Sequence, residues 1–122
     1  MTKIYNIKYT RGDTYILSVQ IERDGKCYIP EAGDKIYFSL RDNIPKDSNV
    51  SGEYIFQKVY PENGIYFNYE ENTINALIAS EDTKNLLISP KKYYYDLQIN
   101  FSSGEVKTYL KGEFELGYEI TL

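Results

Sequence analysis

YYYDLQINF, residues 93–101, decides the fold. Its odd positions, Tyr93, Tyr95, Leu97, Ile99 and Phe101, are all large and apolar, and three of the four between them, Asp96, Gln98 and Asn100, are polar. Side chains on a strand alternate sides, so this period of two makes a half-buried β-strand with one dry face. The same pattern recurs outward in both directions. In TYILSVQIE, residues 14–22, Tyr15, Leu17, Val19 and Ile21 form the inward set. In KIYFSLR, residues 35–41, Ile36, Phe38 and Leu40 alternate with Lys35, Tyr37, Ser39 and Arg41. In EFELGYEIT, residues 113–121, Phe114, Leu116, Tyr118 and Ile120 alternate with Glu113, Glu115 and Glu119. Weaker runs lie at 4–9, 54–60, 65–69, 73–78 and 105–110.

Turn residues punctuate these runs: Asp24-Gly25, Asn63-Gly64, Ser102-Ser103-Gly104 and Lys111-Gly112. An Asx-Gly pair suits a hairpin because a type I′ turn needs positive φ at both central positions. IPKDSNVSGE, residues 44–53, is polar and rich in breakers and reads as the longest loop. One segment departs from the β pattern. In ASEDTKNLLISP, Ser80 is placed to cap a short helical turn near residues 80–87, with Glu81 and Asp82 where the helix dipole favours anions. Pro90 stops anything longer. About eight or nine short strands with regular turns predict an all-β domain, either a two-sheet sandwich or a barrel. Alternation that leaves one face of each sheet wet favours the sandwich. At 122 residues the chain is one domain, 1–122.

Composition narrows the function. A net charge of -4 argues against a nucleic-acid surface, which needs clustered Lys and Arg. No run of 18 apolar residues exists to span a membrane as a helix, and MTKIYNIKYT lacks the apolar core of a signal peptide. Synthesis in the cytoplasm without export is the expectation. With one cysteine, Cys27, no internal disulfide forms. There is no histidine, which removes Ser-His and Cys-His nucleophile pairs. Glu70-Glu71 falls in a turn, and the Glu113/Glu115/Glu119 row reads as a solvated face paired with Lys107 and Lys111. The chain is therefore read as non-enzymatic, with no metal and no cofactor; a small hydrolase is the weakest alternative.

Fourteen tyrosines sit mostly at inward positions. Those left facing outward are Tyr37, Tyr66, Tyr94 and Tyr109. An outer sheet face that gathers such rings is a candidate protein interface. The candidates are Tyr94, Asp96, Gln98, Tyr37 and Tyr109, with an unpaired last strand near Glu113 to Glu119 as a second possibility. Arg11-Gly12-Asp13 matches a tripeptide that secreted proteins offer to integrins. It lies between two strand patterns, however, and Gly12 accepts positive φ while Asp13 can take hydrogen bonds from the following amides. The expectation is a structural corner.

The order of these pieces resembles the N-terminal domain of the phage baseplate upper protein family. The residues that carry the resemblance are Arg11, Gly12, Asp13 and Thr14, then Gly33 and Asp34 before the Ile36–Arg41 strand. Asp82 and Thr83 follow, then Tyr95–Gln98 and Gly104–Thr108. The resemblance covers essentially the whole chain. It implies an immunoglobulin-like antiparallel β-sandwich, and a structural part of a phage or prophage virion, at the tail or baseplate. Such a part docks onto other tail or baseplate proteins, with a homo-oligomer among its possible states. Members of that family continue into a fibrous or host-binding portion, whereas this chain stops at Leu122. The alternative from the residues is a carbohydrate-binding domain for host cell-wall sugars, which requires aligned, exposed tyrosines on a concave face.

Overall fold

The structure, a computed structural model, describes residues 2–42 and 54–118. The chain forms β1 (Lys3–Ile4), β2 (Ile7–Thr10), β3 (Tyr15–Val19), β4 (Glu22–Arg23), β5 (Lys26–Cys27), β6 (Lys35–Arg41), β7 (Phe56–Tyr60), β8 (Ile65–Asn68) and β9 (Thr73–Ile78). A single helical turn, α1 (Ser80–Thr83), precedes β10 (Lys92–Asn100) and β11 (Val106–Gly117). The protein is all-β, as the alternation predicts. Among the described residues eleven strands replace the expected eight or nine because three of them, β1, β4 and β5, are two-residue pieces.

One sheet runs β1-β11-β10-β6-β7, with β2 on the same side of β11 as β1; a second runs β3-β9-β8, and β4-β5 is a separate ribbon. Both sheets feed one core. Phe38, Leu97, Ile99, Phe114 and Leu116 from the large sheet, and Ile74 and Ile78 from the small one, are essentially solvent-free. Each such side chain contributes about 1.5–3 kcal/mol by leaving water. Phe38 and Tyr95 stack at 5.3 Å in the middle of the large sheet. Towards one end, Tyr9 of β2 stacks on Tyr15 of β3 at 4.8 Å and meets Phe114 edge-on at 5.6 Å, so one ring joins the two sheets.

Buried polar groups fix the connections. Asp34, 4% exposed, accepts hydrogen bonds from the Tyr28 hydroxyl at 2.7 Å, Glu31 N at 3.0 Å and Ser102 N at 2.9 Å, tying the entry to β6 to the β10–β11 turn. Burial by itself raises a carboxyl pKa; here these donors outweigh it and hold Asp34 below its ordinary value of 3.8. At the opposite connection the buried Tyr93 hydroxyl accepts Leu87 N at 2.9 Å, pinning the segment between α1 and β10.

Several local expectations change. Lys111-Gly112 is no turn: β11 runs straight through it. A Cβ at Gly112 would lie 2.1 Å from the Tyr5 carbonyl oxygen, so the missing side chain is what allows the N-terminal arm to cross there. The arm is stitched down by Tyr5 N on Lys111 O at 2.9 Å, Glu113 N on Asn6 Oδ1 at 3.0 Å, and the Tyr95 hydroxyl on the Tyr5 carbonyl. β11 is thus flanked by β10 on one side and by β1 and β2 on the other, and is not the unpaired edge that Glu113 to Glu119 suggested. Tyr118 lies past the end of β11 and is 78% exposed instead of inward. α1 starts from Ala79, not from a Ser80 cap; the Asp82 carboxylate accepts Ala79 N at 2.7 Å and does the capping. It also ends at Thr83, short of the expected residue 87. The 44–53 loop, Glu119 and Ile120 lie outside the described residues.

Two outcomes test these pins. Gly112→Ala is expected to lower stability by about 1–3 kcal/mol, because the added methyl meets main chain that cannot yield without peeling the arm from β11; equilibrium urea unfolding measures it. Asp34 has a lowered pKa in the folded state, so its stabilisation is complete above the ordinary value and is lost as pH falls through the folded one. The stability gap between wild type and Asp34→Asn, measured by denaturation at pH 7 and again below pH 3.8, should therefore shrink in acid.

Candidate functional site on the outer face of β6 and β10

Inward positions of β6 and β10 are consumed by the core, so the intervening side chains form the outer face of the large sheet. Register places Tyr37 opposite Gln98, Ser39 opposite Asp96, and Arg41 opposite Tyr94. Four of the five expected interface residues, Tyr37, Tyr94, Asp96 and Gln98, are therefore cross-strand or diagonal neighbours on one surface, each half-buried. β7 extends the row, with Gln57 opposite Ser39 and Val59 opposite Tyr37. On the far side β11 places Glu113 opposite Tyr94 and Lys111 opposite Asp96.

Tyr109 does not join them. The register slips between Leu97 and Gln98, so that Leu97 faces Leu110 while Gln98 faces Thr108. Tyr109 is the extra residue of this β-bulge, which re-aims its side chain. It turns inward to 9% exposure, with the Lys107 ammonium 5.2 Å from its ring. Alternation without the bulge gives the wrong face. Tyr66 is exposed as expected, but on the small sheet.

The centre of the face is an ion pair. Arg41 Nε lies 3.3 Å from Asp96 Oδ2, and their side chains keep 12% and 26% of their surface. Burial pushes the Asp96 carboxyl above its ordinary value, and Arg41 recovers part of the cost. Beside it Gln57 Nε2 donates to Ser39 Oγ at 2.9 Å, so Ser39, although outward, is 1% exposed beneath its longer neighbours. At the rim Lys92 meets Glu113 at 3.5 Å, and the Glu115 carboxylate accepts the Ser89 hydroxyl; among the described residues these, rather than Lys107 and Lys111, are the partners of Glu113 and Glu115. Arg41 and Ser39 were legible as outward residues. Their partners were not, because Arg41 and Asp96 are 55 residues apart.

Chemically, the face offers two flat rings, an amide and a half-dry ion pair. Among the described residues no group of three or more His, Cys, Asp or Glu side chains is placed to hold a metal ion. Such a surface suits contact with another macromolecule.

The Arg11-Gly12-Asp13 segment is a corner with a socket. Gly12 has φ 86°, and Asp13 N closes the turn on Thr10 O at 3.1 Å; this main-chain bond replaces the expected Asx-type turn. Gly12 N donates to Thr83 Oγ1 at 3.0 Å, and Arg11 Nη1 donates to Leu86 O at 3.0 Å. Thr83 itself is completely buried. Two of the three residues are thus held against α1 and the segment after it. An integrin ligand needs the arginine and aspartate side chains presented together, and here the arginine is engaged.

No protein-family model matches the chain, and no curated protein matches it.

Removing Arg41 should strand the Asp96 carboxylate in its half-buried setting. Arg41→Ala is expected to cost about 1–2 kcal/mol at neutral pH. A carboxyl whose folded pKa is raised regains that cost once protonated, so the deficit should narrow as pH falls through the raised value. Thermal melts of wild type and variant across that range check the sign.

Proposed function

We propose that this chain is a non-enzymatic structural module of a phage or prophage tail or baseplate, docking onto other tail proteins through the outer face of β6 and β10. The observation that carries the reading is the convergence of Tyr37, Tyr94, Asp96 and Gln98 on one continuous sheet surface. Tyrosine and arginine side chains gathered at the middle of a patch are the residue types that dominate interface hot spots. The motif order from Arg11 to Thr108 points to the tail-associated family, and with it to a virion location after synthesis in the bacterial cytoplasm.

The finer reading of the fold is an immunoglobulin-like sandwich of the variable type. Strand order supports it: one sheet with the last strand beside its predecessor and then β6 and β7, the other in the order β3-β9-β8. The Tyr93 hydroxyl bond to Leu87 N corresponds to the tyrosine corner found in such domains at the same connection. The Phe38–Tyr95 stack takes the central position where antibody domains place a tryptophan against a disulfide.

Sugar recognition is the second reading, because tyrosines beside Asp96 and Gln98 can stack on and hydrogen-bond a pyranose. Both rings are half-buried within the sheet surface rather than raised as a platform, which favours a protein partner.

Tyr94→Ala is the discriminating variant. With the tail proteins encoded beside it, the variant should bind at least about tenfold more weakly than wild type in a pull-down or titration. Assembly equal to wild type would rule this face out, and a glycan-array signal lost in the same variant would establish the sugar reading in its place.

A further inference from the structure

Sheet edges expose unpaired backbone groups, and natural proteins protect them with charge, proline, bulges or covering segments. Among the described residues, three of the four edges of the two larger sheets are protected. β7 points Lys58 inward, where its ammonium meets Asp82 at 2.8 Å. β8 is approached by β7, since Gly64 bridges Val59 and the Lys58 stem lies against Gly64. The β1–β2 edge carries Lys3 and Lys8 and is interrupted at Tyr5 and Asn6. Among the described residues β3 has none of these devices. Tyr15-Ile16-Leu17-Ser18-Val19 contains no charge, no proline and no glycine, and its pairing with β9 is regular throughout. Among the described residues no main-chain hydrogen bond reaches these five except from β9.

The face beside that edge is also without charge. Outward side chains of the small sheet are Ile16 and Ser18 on β3, Thr73, Asn75 and Leu77 on β9, and Tyr66 and Asn68 on β8. Ile16 and Tyr66 are 46% and 48% exposed. Ser18 donates to the Asn75 side-chain oxygen at 2.5 Å, which satisfies the polar centre within the sheet.

The geometry points to β3 as a pairing edge for a second copy of this chain, joined antiparallel about Leu17. Self-complementarity selects the occupant: an edge with no charged side chain sets no like charges against a second copy of itself. The repulsion from a net charge of -4 on each copy is screened beyond about 8 Å at physiological ionic strength. β3 is its own complement: pairing about Leu17 sets Tyr15 opposite Val19 and Ile16 opposite Ser18 of the other copy. Two three-stranded sheets then become one of six strands. Five residues of ladder fall short of what permanent dimers bury, so the association is reversible and strengthens when copies are held together. This edge is separate from the β6 and β10 face, and the two readings stand or fall independently.

Sedimentation velocity from micromolar concentration to about 1 mM, the range of weak association, tests it. Wild type should show a concentration-dependent monomer–dimer equilibrium. Ile16→Lys and Ser18→Lys, both at exposed outward positions, place like charges diagonally across the dyad and should each weaken it by about tenfold or more. Circular dichroism melts check that each variant folds. As an arm that leaves the strand uncharged, Ile16→Cys and Ser18→Cys are prepared with Cys27→Ser; oxidised together they should give a disulfide-linked heterodimer. A wild type that stays monomeric throughout, a dimer indifferent to both lysines, or no cross-link between the cysteine pair overturns the proposal.

Discussion

A dry layer shared by two sheets of unequal size is the constraint on which the rest of this molecule depends. Phe38, Leu97, Phe114 and Leu116 give up all contact with water only because Ile74, Ile78 and their neighbours oppose them. Every strand with a partner on each side, β6, β9, β10 and β11, supplies at least two such side chains. Burial is non-directional, however, and does not choose a topology. The choice is made by polar groups at the ends of the layer, where an unmade hydrogen bond is costly.

Three of those groups fix connections, two of them at long range. Asp34 joins the start of β6 to the turn after β10, Thr83 receives the backbone of the Arg11–Asp13 corner, and Tyr93 holds the approach to β10. Each is buried and each accepts a main-chain N–H, so it fixes the path of a connection; Asp34 holds the Tyr28 hydroxyl as well. Asp82 adds a fourth link, closing α1 on Ala79 and drawing in Lys58 from the edge of the other sheet. A helical turn of four residues thereby becomes the place where the corner, the edge strand and the α1–β10 connection meet.

Period-two alternation made most of the strands and their inward faces legible, because burial on one side of a sheet leaves a direct imprint on residue type. Tyr93 to Phe101 are inward at every odd position, and the Asp24-Gly25 pair, with φ of 54° and 79°, does form its tight turn. Misreadings arose where one residue breaks the count or where a distant chain sets the local rule. The bulge opposite Leu97 turned Tyr109 inward, and no neighbouring residue announces it. Gly112 looked like a turn because its reason is the Tyr5 carbonyl, more than a hundred positions away in sequence. The candidate face was legible as to parity but not as to pairing: Arg41 and Asp96 share a side in any register, yet only the packed sheet brings them together.

The N-terminal arm and β11 run in the same direction, Lys3 beside Leu110 and Thr10 beside Gly117. Whatever is joined before residue 3 and whatever follows residue 117 therefore depart from opposite poles of that pair, roughly 23 Å apart at the rise of an extended strand. Tension between those two attachments drags the arm lengthwise along β11, and its ladder resists as a set instead of opening bond by bond. A load applied between Lys3 and Gly117 would therefore be borne by the seam in shear.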